Sequence, residues 1–130
     1  MFKSLTAAAL VAASLTSGVA FAAGHVPPAI HVMDSSAGKI FTDAKGMTLY
    51  TFDKDTDGVS NCNGECAVKW PPLLAGADAK GKKEYTVITR ADGSKQWAFE
   101  GFALYTWFKD KKPGDMTGDG VKGVWHTAKP

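Results

Sequence analysis

The amino-acid sequence predicts an all-β fold: two tandem three-stranded meander repeats sharing one core, with Gly/Asp-rich loops and one short-loop disulfide. Three observations predict it. Glycine supplies 14 of the 130 residues, and Phe, Tyr and Trp together supply 14 more, a mixture that favours tight turns and strands. The chain matches itself without gaps at an offset of 55, with nine identities in the 46 pairs from 30/85 to 75/130, against about three by chance. Beyond residue 22 no segment repeats its apolar residues at the helical period. The one exception is room for a single turn over 66–70, which Pro71 and Pro72 would stop.

Residues 1–22 stand apart and read as a secretory signal peptide. Lys3 gives the positive start, an Ala/Leu/Val-rich stretch follows, and Ala20-Phe21-Ala22 has the small-x-small form of a cleavage site. The stretch is rich in Ser and Thr and broken by Gly18, poor material for the roughly 20 apolar residues of a membrane span. No cysteine lies near the cut, so neither a span nor a lipid anchor is expected. The remaining segment, 23–130, is expected to be one periplasmic or secreted domain, with repeat one over 30–84 and repeat two over 85–130. The charges of the whole chain nearly balance, 15 Lys+Arg against 13 Asp+Glu, which argues against a nucleic-acid partner.

Within repeat one, strands are expected over 29–33, 39–42 and 47–52, separated by Ser35-Ser36-Ala37-Gly38 and Ala44-Lys45-Gly46. Repeat two places them over 85–89, 95–99 and 102–107, separated by Ala91-Asp92-Gly93-Ser94 and Glu100-Gly101. β-branched and aromatic runs joined by Gly-bearing turns are hairpin signals. Each meander then leads through a Gly/Asp-rich loop to a tryptophan, Trp70 or Trp125. Neither half is long enough to stand alone, so the two should share a core.

Export places Cys62 and Cys66 in an oxidising compartment, and Cys62-Asn63-Gly64-Glu65-Cys66 is short enough to close across a turn. A disulfide there would contribute about 2 kcal/mol. Two other readings stand beside it: a redox pair, and half of a structural zinc site. Against the redox reading, three residues intervene where thioredoxin-like sites have two, and no βαβ pattern surrounds them.

The element Tyr50-Thr51-Phe52-Asp53-Lys54-Asp55 recurs as Tyr105-Thr106-Trp107-Phe108-Lys109-Asp110, a doubled Tyr-x-aromatic-x-x-Asp. Ser60-Asn61-Cys62, Gly64-Glu65-Cys66, Trp70-Pro71-Pro72 and Asp92-Gly93 with Gln96-Trp97 accompany it in order. On these residues the chain resembles the bacterial secreted repeats of unknown function, predicted lipoproteins and exported proteins that carry this motif. The resemblance covers nearly all of 23–130 and implies a fold and a compartment, but no catalytic role. Many relatives carry a lipidated cysteine at the cleavage site and this chain has none, so membrane anchoring does not carry over.

Two readings of the motif remain open. Tyr50 and Phe52 lie two apart on one strand, as do Tyr105 and Trp107, so each pair shares a face. They are either core aromatics, with Asp55 and Asp110 capping the following turns, or an aromatic groove with two acids, suited to a peptide, glycan or small cationic ligand, for an envelope ligand or protein. For metals, Asp53, Asp55 and Asp57 before Gly58 have the opening spacing of a calcium loop. The closing Glu is one residue late, however, and flanking helices are missing. Cleavage after Ala22 would start the chain Ala23-Gly24-His25, whose amine, amides and imidazole suit square-planar Cu(II) or Ni(II). Enzyme signatures (nucleophile elbow, phosphate loop, His-Glu-x-x-His) are missing. The expected function is therefore non-catalytic ligand or partner binding in the cell envelope. Divalent metal binding is the alternative, and a small hydrolase ranks third.

Overall fold

A computed structural model describes residues 26–130; the expected leader and the Ala23-Gly24-His25 candidate lie outside the described residues. The chain runs β1 (His31–Ser35), β2 (Gly38–Thr42), β3 (Tyr50–Phe52), helix α1 (Glu65–Lys69), β4 (Tyr85–Thr89), β5 (Lys95–Phe99), β6 (Phe102–Ala103) and β7 (Trp125–Thr127). The fold is all-β with two repeats, and α1 is the single turn for which the sequence left room. Its carboxyl end is set by Trp70 and the two prolines that follow, which cannot donate onward helical bonds. A short 3-10 turn, Val121–Gly123, occupies the equivalent place in repeat two.

Each repeat opens with an antiparallel hairpin, β1–β2 or β4–β5, and β6 extends the second into three strands. The third strands depart from a plain meander. β3 pairs with β7 of the other repeat, Thr51 opposite His126. In return, the segment after Trp70 runs beside the third strand of repeat two: Pro72 bridges Tyr105, and the Leu73 N–H donates to the Leu104 carbonyl at 2.9 Å. The matching bond in repeat one runs from the Ala128 N–H to the Leu49 carbonyl at 2.8 Å. The repeats have thus exchanged their tails, each closing the partner's sheet. At the centre Tyr50 and Tyr105 exchange backbone bonds, N–H to carbonyl at 2.8 and 3.0 Å, which marks an internal pseudo-two-fold axis.

The gapless self-match hides two differences that cancel. Met33 faces Ile40 in the first hairpin, whereas Ile88 faces Gln96 in the second, one residue further along. Between the middle and third strands the difference reverses. The Leu49 N–H reaches back to the Phe41 carbonyl, and the Leu104 N–H reaches back one residue less, to Trp97, both at 3.0 Å. Phe41 and Trp97 are therefore the equivalent core residues, although the self-match pairs Phe41 with Gln96. In strands a one-residue slip moves a side chain to the opposite face, so the turns absorb it before the core is reached. The shorter second turn, Glu100-Gly101, is tight. Gly101 has φ +87° and lies against the Asp57 side chain, a backbone conformation that favours glycine.

Two apolar clusters fill the interior. One gathers Ile30, Phe41, Leu49, Tyr85, Trp97, Leu104 and Ala128 between the hairpins and the exchanged tails. The other gathers Tyr50, Phe52, Cys62, Trp70, Ile88, Tyr105 and Trp125 beneath the two long loops. The second cluster positions the candidate site.

Candidate functional site: an aromatic cleft across the internal symmetry

The doubled motif is reciprocal. The Tyr50 hydroxyl donates to Asp110 at 2.6 Å, and the Tyr105 hydroxyl donates to Asp55 at 2.7 Å. Each repeat's tyrosine thus completes the other repeat's aspartate. Both tyrosines are fully buried and both aspartates nearly so. Burial, reinforced by the Asp110 acceptor, raises the Tyr50 phenol above its ordinary value. Burial likewise raises Tyr105, partly opposed by its bond with Ser60. Both phenols stay neutral and act as donors. The aspartates also close their own loops: Asp55 accepts the Asn61 N–H at 2.6 Å, and Asp110 accepts the Thr117 N–H at 3.0 Å and its hydroxyl at 2.6 Å. On the repeat-one side a relay continues outward. Arg90, itself buried, donates to Ser60 at 3.0 Å, and Ser60 stands 2.6 Å from the Tyr105 oxygen. Since that phenol donates to Asp55, Ser60 donates to the phenol. Four of the six motif residues expected to offer a groove, namely Tyr50, Asp55, Tyr105 and Asp110, therefore bind one another inside the protein.

The other two, Phe52 and Trp107, cap a column of stacked rings. Phe52 stacks on Trp125 at 4.1 Å, Trp125 on Trp70 at 3.7 Å, and Trp70 on Trp107 at 4.0 Å between centroids. The column follows the internal symmetry: the inner pair is Trp70/Trp125 and the outer pair is Phe52/Trp107, each 55 residues apart. Tyr50 sets its edge on Trp70 at 5.4 Å and Tyr105 on Trp125 at 5.2 Å. Gly118 lies against one flank, where a Cβ would stand 2.9 Å from both Trp70 and Trp107.

A cleft of about 430 Å³ runs along the column, between α1 and the 121–124 turn. Phe52, Trp70, Trp107 and Trp125 line it, with Cys66, Val121 and Val124 completing an apolar wall. Lys54, Lys69, Lys109 and Lys122 rim it, with Glu65 the single acid. Both faces of each inner tryptophan are covered by neighbouring rings, so the cleft meets those rings at their edges. Trp107 is half-buried, and its indole N–H finds no acceptor among the described residues.

Cys62 and Cys66 are joined. Cys62 is fully buried under the column and Cys66 forms part of the cleft wall, so the disulfide anchors α1 against the aromatic core. The three carboxylates of the calcium spacing are not brought together. Asp53 turns to His126 at 2.8 Å, Asp55 turns inward to Tyr105, and Asp57 sits against Gly101. No three His, Cys, Asp or Glu side chains gather at one point among the described residues. Alternation along a chain brings ligands together only if the loop curls around them, and here the buried Asp55–Tyr105 bond pulls the middle carboxylate the other way.

Sequence reasoning named Phe52 and Trp107 but missed the inner tryptophans as site residues, along with the lysine rim and the buried Arg90. The available signal was the self-match, in which Trp70/Trp125 and Lys54/Lys109 are both identical pairs.

The description secreted repeat of unknown function matches residues 31–74 and again 86–129, two segments displaced by the same 55 residues. No curated protein and no solved structure matches the chain. No helix among the described residues is long and apolar enough to cross a membrane. With a closed disulfide and two matched repeats that fill most of its length, the chain belongs to the exported family of secreted repeats of unknown function.

Proposed function

We propose that this protein is a non-catalytic binding module of the cell envelope, released to the periplasm by cleavage near Ala22, that holds a small ligand in the aromatic cleft. One observation supports this reading above the others: a cavity of about 430 Å³ floored by four stacked aromatic rings. Small-molecule sites are concave, mostly apolar and about 300–1,000 Å³ in volume. The cleft is built from both repeats, which explains why the doubled motif is locked by buried bonds instead of being offered to solvent. The reciprocal Tyr–Asp bonds hold the column, and the column forms the floor.

The test uses 1-anilinonaphthalene-8-sulfonate as probe, excited by energy transfer from the column tryptophans of the 23–130 protein. Saturable binding at one dye per protein is expected. Val121→Phe, which fills the cleft from its wall, should abolish it while leaving the unfolding transition in place. Equal dye binding by this variant would overturn the cleft as the site.

A further inference from the structure

Resting on the cleft reading, we infer that the ligand is a small aromatic anion: a flat apolar body of naphthalene size bearing a carboxylate, sulfonate or phosphate. Three features of the cleft converge on negative charge. Its rim carries Lys54, Lys69, Lys109 and Lys122 against Glu65 alone. This concentration is local, because the whole chain carries only +2.

None of the rim lysines is held in an ion pair among the described residues, whereas Lys39 pairs with Asp34 at 2.8 Å and Lys112 with Asp115 at 2.7 Å. Lys109 does lie over the Phe108 ring, 5.7 Å from its centroid. Unpaired cations grouped around one concavity raise the local concentration of anions.

The third feature is the floor. An aromatic ring is negative over its faces and positive at its edges, and the inner tryptophans present only edges to the cleft. The floor therefore favours an anionic group, or the negative face of a second aromatic system, over a cation. A cation-binding aromatic cage needs exposed ring faces, and the two inner tryptophans have none free.

The second lysine-rich surface, around Lys80, Lys82, Lys83 and Lys95, has no aromatic floor and serves as an internal control.

The experiment compares two dyes that differ by one group: 1-anilinonaphthalene-8-sulfonate and its neutral parent N-phenyl-1-naphthylamine. The anion is expected to bind at least about tenfold more tightly. That preference should collapse at about 1 M salt, where the screening length falls to about 3 Å. Lys69→Gln/Lys122→Gln should weaken the anion about tenfold and leave the neutral dye unchanged. Lys80→Gln/Lys82→Gln should change neither. Equal affinities for the two dyes, or equal losses in the two double variants, overturn the anion assignment while the cleft remains a binding site. If neither dye saturates, both readings fall.

Discussion

The two long loops, 53–70 and 108–125, perform the same task by different means. Each receives the other repeat's tyrosine, carries a tryptophan into the column and contributes one wall of the cleft. The loop of repeat one is held by the Cys62–Cys66 disulfide and by a buried cation from repeat two: Arg90 donates to Ser60, to Gln96 at 2.8 Å and to the Cys62 carbonyl at 2.8 Å. Repeat two has Thr117 and Val121 where the cysteines stand. Its loop relies on Thr117 closing onto Asp110, and on the Gly118 N–H donating to the Tyr50 oxygen at 3.2 Å. What is shared is therefore the aromatic column and the Tyr–Asp exchange. The staple and the arginine are local solutions.

Four measurements test that division. Removing an inner ring should cost most, and should cost the same on either side: Trp70→Ala and Trp125→Ala are each expected to lose about 3–5 kcal/mol in denaturant unfolding. A large inequality would mean that the column is not the common element. Next come the phenols. Tyr50→Phe and Tyr105→Phe should each cost about 1.5–3 kcal/mol, as expected for hydrogen bonds to charged groups. Tyr105→Phe should be the worse, because Asp55 is left with one hydrogen-bond donor, the Asn61 N–H, whereas Asp110 keeps two from Thr117. The disulfide should matter less than its position suggests. Cys62→Ser/Cys66→Ser should lower stability by about 2 kcal/mol, with hydrogen-exchange protection lost across α1 and retained in the 121–124 turn.

The smallest effect is a pH dependence at Asp55. Burial raises the Asp55 carboxyl above the usual carboxylate range, opposed by the Asn61 and Tyr105 bonds and by Arg90. The native state then keeps a proton that the unfolded chain releases. Stability from this group is fully present below its unfolded pKa and is lost as pH rises through its native value. Asp55→Asn removes that titration, so the advantage of the natural protein over the variant should be larger at about pH 4 than at pH 7. An advantage that grows with pH instead would reverse the sign assigned to burial.

Much of the architecture was legible because its causes are local. Hairpins, turns, the short helix and the closed cysteine pair follow from β-branched runs, glycines and spacing, and the self-match exposed the duplication. Pairing between the repeats was hidden, since nothing in Tyr50-Thr51-Phe52 says that its partner lies at 125–127 instead of in its own hairpin. Pro71 and Pro72 disguised the mirror-image pairing, because prolines donate no N–H and the tail of repeat one makes bridges where that of repeat two makes a strand. Middle-strand equivalence was hidden for a related reason: a gapless match cannot show two turns whose lengths differ in opposite senses. At the site, the motif was found, but its orientation was undecidable from spacing. Whether Asp55 faces solvent or Tyr105 depends on a chain 50 residues away.

The exchange of tails has a consequence for the order in which this chain matures. As an exported polypeptide emerges, repeat one arrives first, yet its sheet lacks β7, its tyrosine lacks Asp110, and its tryptophan has no ring to stack upon. Nothing in that half can be sealed until residues 110–128 have followed. Besides the β1–β2 hairpin, the Cys62–Cys66 loop, with a sequence separation of 4, needs no distant partner. Oxidation can therefore precede tertiary closure, leaving one pre-tied loop waiting for the rest of the molecule to cross.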